Sequence, residues 1–165
     1  MRKETLEKMS EKILESAEHK EENRNIDTIQ LAKCSGFRVV EALTLDADED
    51  GFVKTAAESG GIIGVNIDRS IQSKRYIIAH EFACFVLYSS VGKKPFLHRK
   101  VAAHRRAREK EAEYLARCIL MPRNTFLPAY RKLRQNRSRS RIVSELQEAF
   151  CVPKEVAEAR IRDLI

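Results

Sequence analysis

The chain is poor in the residues that punctuate or staple a fold. Its 165 residues include no tryptophan, six glycines and four prolines, which excludes collagen-like and proline/glycine-rich low-complexity architectures. Four cysteines are present, Cys34, Cys84, Cys118 and Cys151, with no CxxC pair among them. A disulfide framework and a zinc ribbon are therefore not indicated, and the thiols are expected to be reduced and mostly in the core. No apolar run approaches the roughly 18 residues of a spanning helix. Met1-Arg2-Lys3-Glu4 leads into a charged amphipathic pattern rather than a secretory signal. The expectation is a cytoplasmic protein with no membrane partner. What remains, 43% hydrophobic and 33% charged residues, suffices for one compact body with a real core.

Charge of one sign is concentrated. Residues 1–92 carry 12 Lys or Arg against 16 acids, residues 93–141 carry 16 against 3, and residues 142–165 carry 3 against 5. The basic block could attract nucleic acid or an acidic partner through its summed field. Aromatic interleaving of the kind that stacks unpaired bases is sparse, with Phe96, Tyr114, Phe126 and Tyr130 the only candidates. A solvated basic face is the favoured reading, so nucleic acid is a weaker expectation than a protein partner.

Hydrophobic spacing organises the rest. Leu6, Met9, Ile13, Leu14 and Ala17 recur at helical intervals, predicting a helix over residues 3–22. Asp27 is placed to cap a second helix that Gly36 stops. Residues 37–43, 51–55 and 62–67 are short β-branched runs, the last two separated by a Gly60-Gly61 turn, so a small, mostly antiparallel sheet is expected. Residues 70–90 are apolar on more than one face, as in a central buried helix, and a second long helix ends at Met121-Pro122. Residues 131–141 read as an exposed basic linker, followed by two short helices of helix-turn-helix proportions around Cys151-Val152. The second of that pair balances Lys154, Arg160 and Arg162 with Glu155, Glu158 and Asp163, and so lacks the positive bias of a DNA-reading helix.

Two segments carry candidate chemistry. Asp46-Ala47-Asp48-Glu49-Asp50-Gly51 imitates the start of an EF-hand loop, but the twelfth position is Ala57 instead of the bidentate Glu. A solvated acidic turn is the better reading. The second segment, Ala79-His80-Glu81-Phe82-Ala83-Cys84, is His-Glu-x-x-Cys. On a helix, residues i and i+4 face the same way, which is how His-Glu-x-x-His presents two ligands to one zinc while its Glu acts as general base. Taken alone the motif is weak, because a cysteine beside Phe85 is also an ordinary core residue.

Context strengthens it. Ile78-Ala79-His80-Glu81-Phe82 is followed by Glu109-Lys110-Glu111-Ala112-Glu113-Tyr114-Leu115-Ala116 and Ile119-Leu120-Met121-Pro122, and the pairing resembles the ImmA/IrrE family of metallopeptidases. The resemblance extends over roughly residues 26–165. It implies that His80 and Glu109 are zinc ligands, that Glu81 is the general base, and that Cys84 occupies the place of the second histidine ligand. Glu111 competes with Glu109, but two residues apart on a helix only one of them can face the metal. Glu113, one turn after Glu109, is expected to orient His80. His98 and His104 are weaker substitutes for the missing ligand, since both lie in the basic stretch.

The cysteine alters the site in two ways. Its sulfur lies nearer the backbone than a far imidazole nitrogen, so its reach is shorter by more than ~1 Å even with the longer Zn–S bond. Thiolate and carboxylate together also cancel the zinc charge, leaving a weaker acidifier of water than a His-His-Glu set. The resemblance implies an α+β zincin-like domain, helices around a small three-stranded sheet, over residues 1–130, with residues 131–165 forming the linker and helical pair. It further implies a zinc-dependent endopeptidase acting on a protein such as a helix-turn-helix transcriptional repressor, or an inactive relative serving as a protein-binding module.

Overall fold

A computed structural model describes residues 1–17, 24–43, 50–56, 60–89 and 102–165. Helix α1 (Lys3–Ser16) presents Leu6 and Leu14 to the core. The remainder of the expected helix, from residue 18, and the acidic turn at 46–49 lie outside the described residues. Helix α2 (Thr28–Cys34) starts where Asp27 accepts hydrogen bonds from the backbone N–H groups of Ile29 and Gln30, at 3.0 and 2.9 Å. Such a cap contributes about 1 kcal/mol. Gly36, at φ +82°, turns the chain into strand β1 (Phe37–Ala42).

Strands β2 (Gly51–Ala56) and β3 (Gly60–Asn66) complete a sheet of order β1-β3-β2. The β2–β3 pairing is antiparallel, as expected, but β1 runs parallel to β3, so the sheet is mixed. Gly60 and Gly61 are the first residues of β3 rather than a free turn. The reason is a close approach: Gly60 adopts φ +79°, a Cβ there would lie 1.5 Å from the Gly36 carbonyl oxygen, and Gly61 donates its N–H to that same oxygen at 3.1 Å. The two glycines allow the starts of β1 and β3 to meet side by side.

Helix α3 (Ile71–Ser89) covers one face of this sheet, with Phe82 and Phe85 set edge-on against Phe37 of β1. It has almost no polar face because its other side packs against α4 (Ala102–Leu120). Pro122 ends α4, as its restriction on the preceding residue requires. Helix α5 (Arg123–Arg134) follows, so residues 131–134 of the expected basic linker are helical, as are residues 139–141. Phe126 and Ala129 bury the inner face of α5, which is the apolar periodicity that the charge run concealed. Helices α6 (Arg139–Phe150) and α7 (Lys154–Leu164) form the expected pair, joined through Cys151 in the left-handed conformation at φ 50°.

One buried polar cluster clamps the ends of the chain together. Arg160 of α7, 0% exposed, donates from Nη1 and Nη2 to the two carboxylate oxygens of Glu7 on α1, at 2.7 and 2.9 Å, and from Nε to the Met121 carbonyl at 2.9 Å. Tyr114 of α4 donates its hydroxyl hydrogen to Glu7 at 2.8 Å. Each of the three guanidinium nitrogens thereby has an acceptor, and one carboxylate joins three helices. Among the described residues no helix is long and apolar enough to cross a membrane.

Candidate metal centre

Helix α3 places His80 in its middle and Cys84 one turn further on, the i, i+4 relation that aims both side chains the same way. Packing against α4 brings Glu109 to them. His80 Nε2 stands 3.3 Å from Glu109 Oε2 and 3.6 Å from Cys84 Sγ, and the three donor atoms lie within 4.8 Å of one another. His80 and Glu109 remain partly open to solvent while Cys84 is 1% exposed. Glu81, next to His80 on the helix, is buried to 9% exposure.

The partners meet on a single nitrogen. Both Cys84 and Glu109 approach Nε2, and Nδ1 of His80 is buried with no hydrogen-bond partner. A cysteine–histidine relay needs the thiol on one ring nitrogen and the orienting carboxylate on the other, so this is not the geometry of a nucleophilic triad. It is the geometry of donors sharing one centre. A tetrahedral zinc with Zn–N and Zn–O near ~2.05 Å and Zn–S near ~2.3 Å has an N–O edge of about 3.3 Å and an N–S edge of about 3.6 Å. The two measured edges match, and the nitrogen, sulfur and oxygen donors are a set that zinc accepts.

The electrostatics favour a cation at this point. Burial pulls the His80 imidazolium down, but the Cys84 and Glu109 hydrogen bonds and the charges of Cys84 and Glu81 outweigh it, and its pKa is pushed up to about 10. Burial pushes the Cys84 thiol up, against the opposing pull of His80 and with added repulsion from Glu81 and Glu109. A positive charge among these groups is therefore stabilised, and the thiol needs one to ionise.

The structure separates the other candidates. Glu111 forms an ion pair with the Met1 amino group and is not part of the His80–Cys84–Glu109 cluster. Glu113 is exposed and does not hydrogen-bond the His80 ring, whose Nδ1 has no partner. The expected orienting role is thus corrected: the way α4 is rotated leaves Glu113 exposed, and its charge instead opposes the ionisation of Tyr76. His98, and the side chain of His104, lie outside the described residues. Tyr76 is the neighbour that the motif does not include. One turn before His80, its ring centroid is 6.2 Å from the imidazole, and burial pushes its phenol up to about 12. The i−4 spacing from His80 was the available signal. Preceding it, Arg75 donates from Nε to the Cys151 carbonyl at 3.1 Å and ties α3 to the end of α6.

The family model described as IrrE N-terminal-like domain, a peptidase family, matches residues 32–162. Among solved structures, the chain is similar in fold to a Mycobacterium tuberculosis transcriptional regulator, with a TM-score of 0.66 and 22% sequence identity. That match covers 93% of this chain and 45% of the regulator, so the chain spans less than half of that protein's length. Among curated proteins none matches in sequence.

Proposed function

Because the chain belongs to the IrrE N-terminal-like domain family, we propose that it is a zinc-dependent endopeptidase acting on a protein substrate, with His80, Cys84 and Glu109 as metal ligands and Glu81 as general base. The observation that carries this reading is the convergence of an imidazole nitrogen, a thiol sulfur and a carboxylate oxygen within 4.8 Å of one another, on two packed helices. Zinc, when bound, supplies a Lewis acid that polarises the scissile carbonyl and acidifies water. Glu81 accepts a proton from the attacking water on its carboxylate and returns it to the departing amine nitrogen. Glu81 is buried to 9% exposure beside His80 on the same helix. Strand β2 lies at the sheet edge beside it: a Cβ on Gly51 would stand 3.6 Å from Glu81 Cγ. Among the described residues the outer edge of β2 carries no further strand, and it would offer backbone groups to an extended substrate segment next to the general base.

The substrate class follows from family membership, and a helix-turn-helix repressor is the proposed target; the similar fold occurs within a transcriptional regulator. The test is elemental analysis of the purified chain, then incubation of the zinc-loaded protein with a helix-turn-helix repressor from the same genome neighbourhood. Near-stoichiometric zinc and cleavage that Glu81→Gln abolishes are expected. An intact repressor after prolonged incubation would overturn the catalytic assignment. A second reading, a metal-free binding module, draws on one observation: the direct His80–Glu109 ion pair at 3.3 Å already satisfies the site with a protonated imidazole. Repressor binding that survives both chelator and Glu81→Gln would select it.

A further inference from the structure

Among the described residues, the corner where α5 ends and α6 begins is a strongly charged surface apart from the candidate metal centre. Between Arg131 and Arg141 the chain holds six Lys or Arg and no acid, and all six are exposed. We propose that this corner binds the phosphate backbone of duplex DNA without regard to sequence.

Half of the charge has a local explanation and half does not. Arg131, Lys132 and Arg134 occupy the last turn of α5, where cations complement the negative end of the helix dipole. Arg139 and Arg141 occupy the first turn of α6, where the dipole is already positive and an anion is favoured. Among the described residues Glu145 answers two of the corner's cations, accepting from Arg141 Nε at 2.8 Å and pairing with Arg137 at 3.2 Å. One carboxylate shared by two guanidiniums leaves the corner strongly positive. Exposed Gln135, Asn136, Ser138 and Ser140 add neutral donors between the cations, and five of the six cations are arginine, the side chain that matches phosphate with two parallel hydrogen bonds.

The uncharged groups decide between partners. A protein interface needs apolar or aromatic anchors at its centre, yet the apolar side chains here point inward, with Ile142 and Val143 buried and Leu133 packed against the core. Protein–DNA interfaces are instead polar and positively charged. Phe126 and Tyr130 stack on each other at 6.4 Å within the protein, so no aromatic platform faces outward for unpaired bases. A duplex backbone is the occupant that this chemistry fits.

The experiment is fluorescence anisotropy of the full chain with labelled 20-base-pair duplexes of two unrelated sequences, titrated at 50 and 200 mM KCl. Both duplexes should bind alike. If four to five phosphates are neutralised, affinity should fall about 150- to 500-fold over that salt range, each phosphate adding about 0.9 to the logarithmic slope. Replacing Arg131, Lys132, Arg134 and Arg139 together by Gln should weaken binding at least ~10-fold at 50 mM and flatten the slope by about 0.9 for every phosphate no longer neutralised. The equal-charge control Arg2→Gln/Lys8→Gln/Arg24→Gln/Arg38→Gln, at exposed positions elsewhere, should retain both. Absence of binding at 50 mM KCl, an equal loss in the control, or a polyglutamate peptide of matched charge binding as tightly as the duplex would each overturn the proposal.

Discussion

Replacing Glu7 by Leu tests the buried clamp between α1 and α7. The carboxylate receives both terminal guanidinium nitrogens of Arg160 and the hydroxyl of Tyr114, and Arg160 is 0% exposed. Removing it strands a cation that the fold holds out of water. Breaking one partner of such a pair costs about 3–5 kcal/mol. With a urea m-value of about 2 kcal/mol/M, the unfolding midpoint should fall by about 1.5–2.5 M. Glu7→Leu/Arg160→Met removes both charges and should recover at least half of that loss, though Met121 is deprived of its Arg160 donor and Tyr114 of its acceptor. The pH dependence has a definite sign. Burial pushes the Glu7 carboxyl up, but the Arg160 hydrogen bonds and charge, with Tyr114, outweigh it and hold the carboxyl below its ordinary 4.5. A group depressed in the folded state contributes stability that is full above its ordinary pKa and lost as pH falls through the folded value. The gap between parent and Glu7→Leu should therefore be constant near neutrality and close in acid below about 4.5. Urea titrations at pH 7 and pH 3 measure it. A cost under about 1 kcal/mol at pH 7, or a double variant as unstable as the single one, would refute the account of the clamp.

Three further outcomes are expected. Cys84→Ser should lose most bound zinc and Cys84→His should retain or exceed the parent content, read by elemental analysis; equal content in all three proteins would remove Cys84 from the ligand set. Zinc affinity should rise with pH from 6 to 8, approaching two protons released per metal, because the Cys84 thiol and the His80 imidazolium, the latter at about 10, must both deprotonate to bind; competition with a chromogenic chelator checks this, and a flat profile contradicts it. Gly60→Ala should cost more than about 3 kcal/mol or prevent folding, since its φ of +79° and the 1.5 Å approach to the Gly36 oxygen leave no room for a methyl group; thermal melting within a few degrees of the parent would show that β1 and β3 can separate without loss.

The helices were legible because their signals are local. Asp27 and Gly36 bracket α2 as cap and stop, and the apolar faces of α1 and α3 repeat at helical spacing. The grouping of His80, Cys84 and Glu109, which could hold a metal, was legible for a related reason, as His80 and Cys84 share one helical face and Glu109 sits in a recognisable second motif. The parallel direction of β1 was not, because adjacency in a sheet is decided by long-range packing and β3 inserts between two strands that precede it. Residues 131–134 resemble a linker because six cations in eleven positions obscure the apolar side of α5. The outward turn of Glu113 and the pairing of Glu7 with Arg160 are set by how α4 is rotated against its neighbours, which spacing within one helix does not report.

The distribution of the three donors over two helices gives a bound ion a mechanical role as well. His80 and Cys84 belong to one rigid turn of α3, while Glu109 arrives on α4 after a long intervening stretch of chain. An ion held by all three closes that stretch into a ring, as a disulfide would, and removes conformations mainly from the unfolded chain. Unlike a disulfide, this cross-link opens and closes with the concentration of a small solute. The resistance of the α3–α4 pair to unfolding or proteolysis would then follow metal supply, and the protein's persistence would register how much metal surrounds it.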